Sequence, residues 1–349
     1  MRILNSVLGD ATGGRWKVVC DYARLLNGHG HRVRLLLDER HRPDLDTLPS
    51  GIEVEWIRNR GHYDFPAAWS LRRRLADFRP QLAIAHCSRS VAVLKRALRG
   101  AAPVVAVTHS TKVRRLLPAD AFLPLSAAIE RRLQEADPRV ADRPCYRVPN
   151  MIALEADAAL PPRPRNRPPR IAALGRFDAV KGLDVFIEAL ALLRERGYPF
   201  QGVLAGDGKE RESLRRLAAD RGPEGWLQFP GWVPDVEDFL AGVDLLCIPA
   251  RSDAFGLTPL QAAAAGVPMV LSRASGHREM FAEEREALFC EVGDPRSTAQ
   301  QMARLLDDGT RMERQRAAAF ERVRRCYSAS LVSERILQAL ENIANYYNK

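Results

Sequence analysis

The chain has 349 residues, 46% of them hydrophobic, and a formal net charge of +10, which is enough material for about two domains with a core in each and excludes disorder as the main state. Its six cysteines are widely separated and form no C-x-x-C pair; this excludes a disulfide framework or local zinc cluster and indicates a reducing compartment. The apolar N-terminal stretch is too short for a signal peptide, and no later apolar run approaches about 18 residues, so we expect a cytoplasmic protein without a membrane span.

The positive charge is unevenly distributed. Residues 1–150 contain 26 Lys and Arg against 15 Asp and Glu, whereas the remainder contains 27 against 28. A basic half of this kind attracts phosphates on nucleic acid, on an anionic membrane surface or on a phosphorylated substrate. Solvated surface arginines explain the same count without any partner.

Strand-length apolar runs alternate with segments of helical period, and no longer repeat recurs. This alternation predicts parallel sheets covered on both faces by helices. In the first half the predicted strands are Arg2–Val7, Val33–Leu37, Val54–Ile57, Leu82–Ala85, Val104–Val107 and Phe122–Leu125, and the predicted helices include Lys17–Leu26, Ala67–Phe78 and Val91–Leu98.

A proline-rich segment interrupts the pattern, which then restarts. The later predicted strands are Ile171–Leu174, Gly202–Ala205, Leu227–Phe229, Leu245–Ile248, Pro268–Leu271 and Leu288–Cys290, with helices near Leu183–Arg196, Glu210–Ala219, Asp235–Ala241, Leu257–Ala265 and Thr298–Leu306. We therefore predict an α/β protein with two doubly wound domains at 1–158 and 170–327, a linker at 159–169, and a helix at 328–349 that crosses back to the first domain. The cleft between two such domains is the expected ligand site.

The first predicted βα turn contains Gly13 and Gly14, before a helix expected to start near Arg15. Glycines in such a turn let backbone N–H groups approach a phosphate or a sugar hydroxyl. The spacing is not that of the dinucleotide-binding fingerprint, and a plain tight turn explains these glycines equally well.

Two cations follow the first strand of the second half. Arg176 comes directly after Gly175, and Lys181 lies just before a predicted helix. Ligands bind at the carboxyl ends of strands in open α/β sheets, and an arginine with a nearby lysine can hold both phosphates of a pyrophosphate. A solvated loop with two ordinary surface cations is the alternative.

The loop after Leu245–Ile248 carries Asp253 and then Phe255, Gly256 and Leu257 at the start of a predicted helix. The start of a helix presents free backbone N–H groups to an anion. Gln261 lies about one turn further along and can reach the same ligand.

Together these motifs resemble the GT4 family of retaining glycosyltransferases, whose GT-B architecture consists of two Rossmann-like domains. The resemblance spans nearly the whole chain and includes bacterial lipopolysaccharide-core glycosyltransferases, which implies a role in lipopolysaccharide or envelope glycan biosynthesis. Its other motifs are Gly28-His29-Gly30-His31-Arg32-Val33, Val148-Pro149-Asn150, Ala205-Gly206-Asp207-Gly208 and Phe229-Pro230-Gly231-Trp232-Val233.

The resemblance implies a nucleoside-diphosphate sugar, linked to UDP or GDP, as the donor. Arg176 and Lys181 would neutralise the departing diphosphate without a metal or other cofactor, Asp253 would hold hydroxyls of the transferred sugar, and His109 would line the cleft near that sugar. The only D-x-D, Asp44-Leu45-Asp46, is assigned to the surface. The donor-binding residues that the resemblance implies are Gly13, Gly14, Gly175, Gly206, Phe255, Gly256, Leu257 and Gln261.

Asp253 and Gln261 depart from the family pattern, because glutamates usually stand at both positions. A side-chain amide can still accept from one hydroxyl and donate to another. We interpret the departures as tuning; a catalytically silent protein that binds nucleotide sugars is the alternative.

Two basic segments of the first half are mixed with apolar residues: Arg72, Arg73 and Arg74, and then Lys112, Arg114 and Arg115. Such segments suit an anionic inner leaflet, where each cation contributes about 1 kcal/mol to binding. The solvated face of an ordinary helix has the same sequence pattern. We expect a lipid-linked or phosphorylated glycan acceptor and a peripheral location at the inner face of the plasma membrane.

A nucleic-acid-binding protein is disfavoured, since the cations are scattered and lack interleaved aromatics.

Overall fold

The computed structural model describes residues 1–9, 11–46, 48–155, 157–162 and 166–348. They form two compact units. Unit 1 comprises Met1–Asn150 and the segment from Val332 onward, and unit 2 comprises Met151–Leu331. The first boundary therefore lies on the N-terminal side of the predicted proline-rich linker.

Unit 1 is built on a six-stranded parallel sheet with the strand order β3-β2-β1-β4-β5-β6. Its strands and first helices are β1 (Arg2–Val7), α1 (Gly13–Gly28), β2 (Arg32–Asp38), β3 (Glu53–Ile57), α2 (Phe65–Arg74), β4 (Leu82–Ala85), α3 (Ser88–Leu98), β5 (Val104–Thr108), β6 (Ala121–Pro124) and α4 (Ala127–Ala136).

Unit 2 repeats this plan with the order β12-β11-β10-β7-β8-β9, again parallel. Its elements are β7 (Arg170–Leu174), α5 (Leu183–Glu195), β8 (Gln201–Ala205), α6 (Arg211–Arg221), β9 (Leu227–Gly231), α7 (Val236–Ala241), β10 (Leu245–Ile248), α8 (Leu257–Ala264), β11 (Met269–Ser272), α9 (Ser275–Met280), β12 (Leu288–Cys290), α10 (Pro295–Asp307) and α11 (Gly309–Cys326).

Every predicted strand is confirmed within a residue or two at its ends, because strands buried on both faces read as short continuous apolar runs. The helices differ more. α1 begins at Gly13, whose φ of 57° only glycine adopts easily, and α2 ends at Arg74 instead of Phe78. The prediction did not include α4 or the six-residue α9.

The last helix, α12 (Ala329–Tyr347), begins in unit 2 and ends in unit 1. Its apolar stripe, which includes Ile336, Leu340 and Ile343, is buried. The Tyr347 hydroxyl donates to the carbonyl of Asp120 over 2.8 Å. These contacts attach the end of the chain to unit 1.

Both sheets reverse their strand order at one place. The reversal lies between β1 and β4 in unit 1 and between β7 and β10 in unit 2. The loops after two such strands run to opposite sides of the sheet and leave a crevice, where ligands bind in folds of this kind.

Candidate active site

The crevice of unit 2 is formed by the loops after β7 and β10. A short 3-10 helix, Ala179–Lys181, precedes Gly182, which adopts a φ of 63°. A side chain on Gly182 would overlap the carbonyl oxygen of Pro249. The Arg251 amide donates to the Val180 carbonyl over 2.8 Å, so the backbones of the two loops lie directly against each other.

This approach brings together two of the predicted catalytic residues. Lys181 Nζ lies 3.0 Å from Asp253 Oδ2. The Asp253 side chain is 4% exposed and that of Lys181 31% exposed. The pair is therefore a largely buried carboxylate with a cation that also reaches solvent.

Asp253 is held as a carboxylate despite its burial. Burial opposes ionisation, but the charge of Lys181, its hydrogen bond and a hydrogen bond from the Gly256 amide outweigh it, so the pKa of Asp253 is lowered. Gly256 is also the residue that caps α8, where the helix dipole favours an anion.

A buried histidine that the sequence analysis did not single out completes this corner. His277 Nε2 lies 3.9 Å from Asp253 Oδ2. Its Nδ1 lies 3.0 Å from the Ser272 carbonyl, to which a neutral ring donates, while the Ser272 hydroxyl donates to the Ala250 carbonyl over 2.6 Å. Burial lowers the pKa of His277. Within the described part of the chain its Nε2 has no hydrogen-bond partner.

The backbones of Gly175 and Gly206 in unit 2 are hydrogen-bonded to neighbouring segments. The Gly175 amide donates to Ala205 over 3.1 Å, and the Gly206 amide donates to Gly231 over 2.7 Å. A side chain on Gly206 would overlap the Gly175 carbonyl. Backbone approach alone is enough to require glycine at position 206.

The other predicted donor residues of unit 2 are less closely joined to Asp253. Arg176 is exposed on the loop after β7. Phe255 is buried and packs edge-on against Tyr327, with ring centroids 5.5 Å apart. Leu257, the first residue of α8, is buried as well. Gln261 is half-buried, and its side chain forms no hydrogen bond with the described residues.

The crevice of unit 1 contains the glycine turn and two histidines. Gly13 and Gly14 open α1 directly after the loop from β1. His109 follows β5 and is half-buried, and its Nε2 lies 3.1 Å from Nδ1 of His86, which follows β4. Burial and the nearby Arg15 guanidinium lower the pKa of His109 to about 3. His109 is therefore neutral at physiological pH.

The basic residues of unit 1 have different surroundings. Arg74 binds Glu55 over 2.9 Å, and the Arg73 guanidinium lies 4.8 Å from the centre of the Trp69 ring. Arg72 is exposed. Only part of this run is thus available as free positive charge.

The second basic segment lines an open groove of about 580 Å³. We define the basic groove by Ser88, Thr111, Lys112, Arg114, Arg115 and Arg132. Arg132 pairs with Glu135 over 3.0 Å, whereas Lys112, Arg114 and Arg115 are exposed and form no ion pair with any residue that the structure describes.

Three strongly exposed aromatic side chains lie on α2 and just before it, and the prediction missed them. We define the aromatic patch by Tyr63, Phe65 and Trp69, which are 81%, 63% and 60% exposed. The Arg96 guanidinium lies 5.7 Å from the Tyr63 ring centre and 4.9 Å from that of Phe65. His62 Nε2 is 2.8 Å from the hydroxyl of Ser88, so the patch adjoins the basic groove.

The described residues contain neither a cluster of metal ligands nor a helix suited to spanning a membrane. Asp44 and Asp46 are exposed, and no group of three or more His, Cys, Asp or Glu side chains in the described ranges could hold a metal ion. Among the helices described, none has the length and apolarity required to cross a bilayer.

The two doubly wound units have the architecture of GT-B glycosyltransferases, and family comparison agrees. Residues 12–156 match Glycosyltransferase Family 4, and residues 161–322 match Glycosyl transferases group 1. The two matches together span most of the chain, which therefore belongs to these glycosyltransferase families.

Its relatives include the lipopolysaccharide core biosynthesis glycosyltransferase LpsE of Rhizobium meliloti, which is 30% identical over 49% of each chain. The match therefore spans about half of that relative's length. The phosphatidyl-myo-inositol mannosyltransferase of Mycobacterium leprae is 28% identical over 97% of this chain and 96% of its own. The crystal structure of Anabaena HepE with UDP and glucose has the same fold, with a TM-score of 0.82 and 17% identity over 98% of this chain and 99% of that one.

Acidification is expected to destabilise the protein through its buried histidines. His86 and His277 are 1% and 0% exposed, and burial lowers both pKa values. The unfolded chain binds protons below about pH 6.5 that the folded chain does not, so stability is lost as the pH falls, by up to about 1.4 kcal/mol per pH unit for each histidine. Thermal unfolding between pH 7.5 and 5.5 measures this.

His277→Asn keeps a donor for Ser272 but cannot titrate, so its midpoint should depend less on pH than that of the wild type. The exposed His41 provides the control variant His41→Asn, which should retain the wild-type slope. A midpoint that stays constant or rises on acidification contradicts the prediction.

Proposed function

We propose that the protein transfers a sugar from a nucleoside-diphosphate sugar to a phosphorylated or lipid-linked glycan, with retention at the anomeric carbon. The observation that carries the proposal is the Lys181–Asp253 pair, 3.0 Å apart where the strand order of unit 2 reverses. A cation for a diphosphate and a carboxylate for sugar hydroxyls stand side by side there. HepE, of the same fold, binds UDP and glucose.

The Asp253 carboxylate supplies acceptors that suit a sugar. It is ionised despite its burial, and the neighbouring Lys181 side chain reaches solvent. His277 Nε2 lies 3.9 Å from Asp253 Oδ2 but is fully buried, so it packs behind the carboxylate and does not meet a ligand. A carboxylate only accepts hydrogen bonds, so a carbohydrate hydroxyl is the group that this corner favours.

Lys181 and Arg176 would act on the leaving group. In the proposed step the bond between the anomeric carbon and the phosphate oxygen breaks, the acceptor oxygen bonds to the same face of that carbon, and the departing phosphate takes the acceptor's proton. Negative charge grows on the diphosphate, and fixed cations stabilise it. We propose that these two side chains are sufficient and that transfer needs no metal.

The acceptor would bind in unit 1. Lys112, Arg114 and Arg115 place positive charge in the basic groove, and phosphate groups bind such clusters strongly. The mannosyltransferase that resembles this chain over nearly its full length acts, by its name, on a phosphatidyl lipid, and LpsE acts in lipopolysaccharide core biosynthesis. These relatives support an anionic glycan acceptor of the lipopolysaccharide core.

The aromatic patch supports attachment to the inner face of the plasma membrane. Tyr63, Phe65 and Trp69 are exposed beside Arg73 and Arg96. Aromatic rings favour the headgroup region of a bilayer, and cations favour its anionic lipids. In the proposal this surface holds the enzyme where lipid-linked acceptors are located.

Donor binding is the first test. We expect one nucleoside diphosphate among UDP, GDP and ADP, in metal-free buffer with chelator, to raise the thermal unfolding midpoint by several degrees, since a ligand that binds only the folded state stabilises it. HepE makes UDP the expected one. Binding without turnover of any sugar conjugate would instead identify a silent nucleotide-sugar binder, and no shift with any of the three would overturn the proposal.

Lys181→Ala should lower kcat by about 100-fold or more, the usual loss when a contact to transition-state charge is removed. Sugar release or transfer from the bound donor measures it. Lys209→Ala is the matched control, since Lys209 is 69% exposed and lies 3.6 Å from Asp178 on the neighbouring loop. It should stay within about twofold of wild type.

Lys181→Ala also leaves Asp253 buried without its cation, so the double variant Lys181→Met/Asp253→Asn should fold better and remain equally inactive. Wild-type turnover in either variant would eliminate the assigned role.

Replacing the aromatic patch with Tyr63→Ser/Phe65→Ser/Trp69→Ser should abolish most sedimentation with vesicles of phosphatidylglycerol and phosphatidylethanolamine, because interfacial contact area is lost. Trp232→Ser is the control, as Trp232 is 54% exposed in unit 2. Neutral phosphatidylcholine vesicles should bind the wild type weakly. Equal sedimentation of the triple variant and the wild type would remove the patch from the membrane surface.

A further inference from the structure

His109 is contacted by a second histidine that the proposed reaction does not use. His86 and His109 follow neighbouring strands, and their ring centroids lie 5.4 Å apart with planes at 26°. His86 Nδ1 lies 3.1 Å from His109 Nε2. The two imidazoles therefore share one hydrogen bond through defined nitrogens.

His86 is buried and closely packed. It is 1% exposed, and its backbone amide donates to the Ser6 carbonyl over 2.9 Å. The Tyr22 ring of α1 packs edge-on against it, with centroids 5.1 Å apart and planes at 87°. Such a ring cannot turn to offer another atom to His109 without disturbing the core.

Burial and the Arg15 charge keep both rings neutral, so each ring carries one proton. The proton in the hydrogen bond between them can therefore belong to either ring. If His109 donates from Nε2, then His86 must carry its own proton on Nε2, an atom that is buried and has no partner among the described residues. If His86 donates from Nδ1, its buried Nε2 carries no proton and is only an acceptor without a partner. A buried donor without a partner is rarer and more costly than an acceptor without one.

We propose that His86 is a positioning residue, which donates its Nδ1 proton to Nε2 of His109 and thereby keeps the proton of His109 on Nδ1. This inference rests on the proposed function, in which His109 lies beside the transferred sugar. His109 then offers an N–H to a sugar oxygen, and its only lone pair in the ring plane is occupied by His86. It serves as a hydrogen-bond donor and not as a general base.

This assignment agrees with the surroundings of His109. The ring is half-buried, and its Nδ1 forms no hydrogen bond within the described ranges, so the proton is available to a ligand. The tautomer of a histidine is generally set by the hydrogen bond that its other nitrogen makes. An Nδ1–H that is fixed in this way selects ligands by the position of their oxygen atoms. It binds such an oxygen without any change in the charge of His109.

The direct test is nitrogen NMR of the full chain labelled at histidine, with His109→Gln used to assign the His109 signals. The expected spectrum shows His109 protonated at Nδ1 and bare at Nε2. His86→Leu removes the donor and should convert His109, at least partly, to the Nε2-protonated form. His86→Asn places an amide N–H where Nδ1 was and should preserve the wild-type tautomer.

Kinetics provide the second measurement. His86→Leu should lower kcat by about 10-fold, the usual cost of losing a partner that orients a histidine, while the dissociation constant for the nucleoside diphosphate alone stays unchanged. His86→Asn should recover most of the loss. In a His109→Ala background, His86→Leu should cause no additional loss, because its effect acts through His109.

The outcomes separate the two proposals. Protonation of His109 at Nε2 in the wild type, or an unchanged tautomer in His86→Leu, overturns the positioning role. Absence of sugar transfer with every donor overturns the proposed function but leaves the NMR result to decide the role of His86. If His86→Leu does not fold, the wild-type and His86→Asn spectra still decide it.

Discussion

Both units depend on one topological constraint, the reversal of strand order at the centre of each parallel sheet. Right-handed crossovers force the chain to leave neighbouring strands on opposite faces, so their loops diverge and leave space between them. In unit 2 this place carries Lys181 and Asp253 on the two loops, which come into contact there. In unit 1 it lies where Gly13 follows β1 and His86 follows β4. Sheet topology thus determines where the candidate site residues of both units lie, whatever their side chains are.

The two crevices keep polar groups buried by different means. Unit 2 compensates a buried carboxylate with a lysine, an arrangement that often stabilises a fold no better than apolar residues would. The pair is therefore weak evidence of a stability requirement. Unit 1 joins a buried His86 to a half-buried His109 by one hydrogen bond, and both imidazoles are neutral. The nearby Arg15 and the basic groove carry positive charge in that unit.

The sequence predicted the strands and the loops that carry Lys181, Asp253 and His109, because buried parallel strands and their carboxyl ends have a local signature. It could not predict that Lys181 and Asp253 pair, since 72 residues separate them. His86 and His277 were missed for the same reason: nothing in their local sequence shows that the fold buries them beside a polar partner. Trp69 lies four residues after Phe65 on a helix, a spacing that usually indicates a core face, and only the structure shows both rings at the surface.

The return of α12 to unit 1 has a consequence for synthesis of the protein. Unit 2 is inserted between the two parts of unit 1, so residues 1–150 leave the ribosome long before the helix that carries Ile336, Leu340 and Ile343 is made. At 5–20 residues per second the delay is roughly 10–40 s. During that time the surface that receives this apolar stripe stays uncovered. Most of unit 1 is therefore translated before unit 2, and its last helix is translated after unit 2.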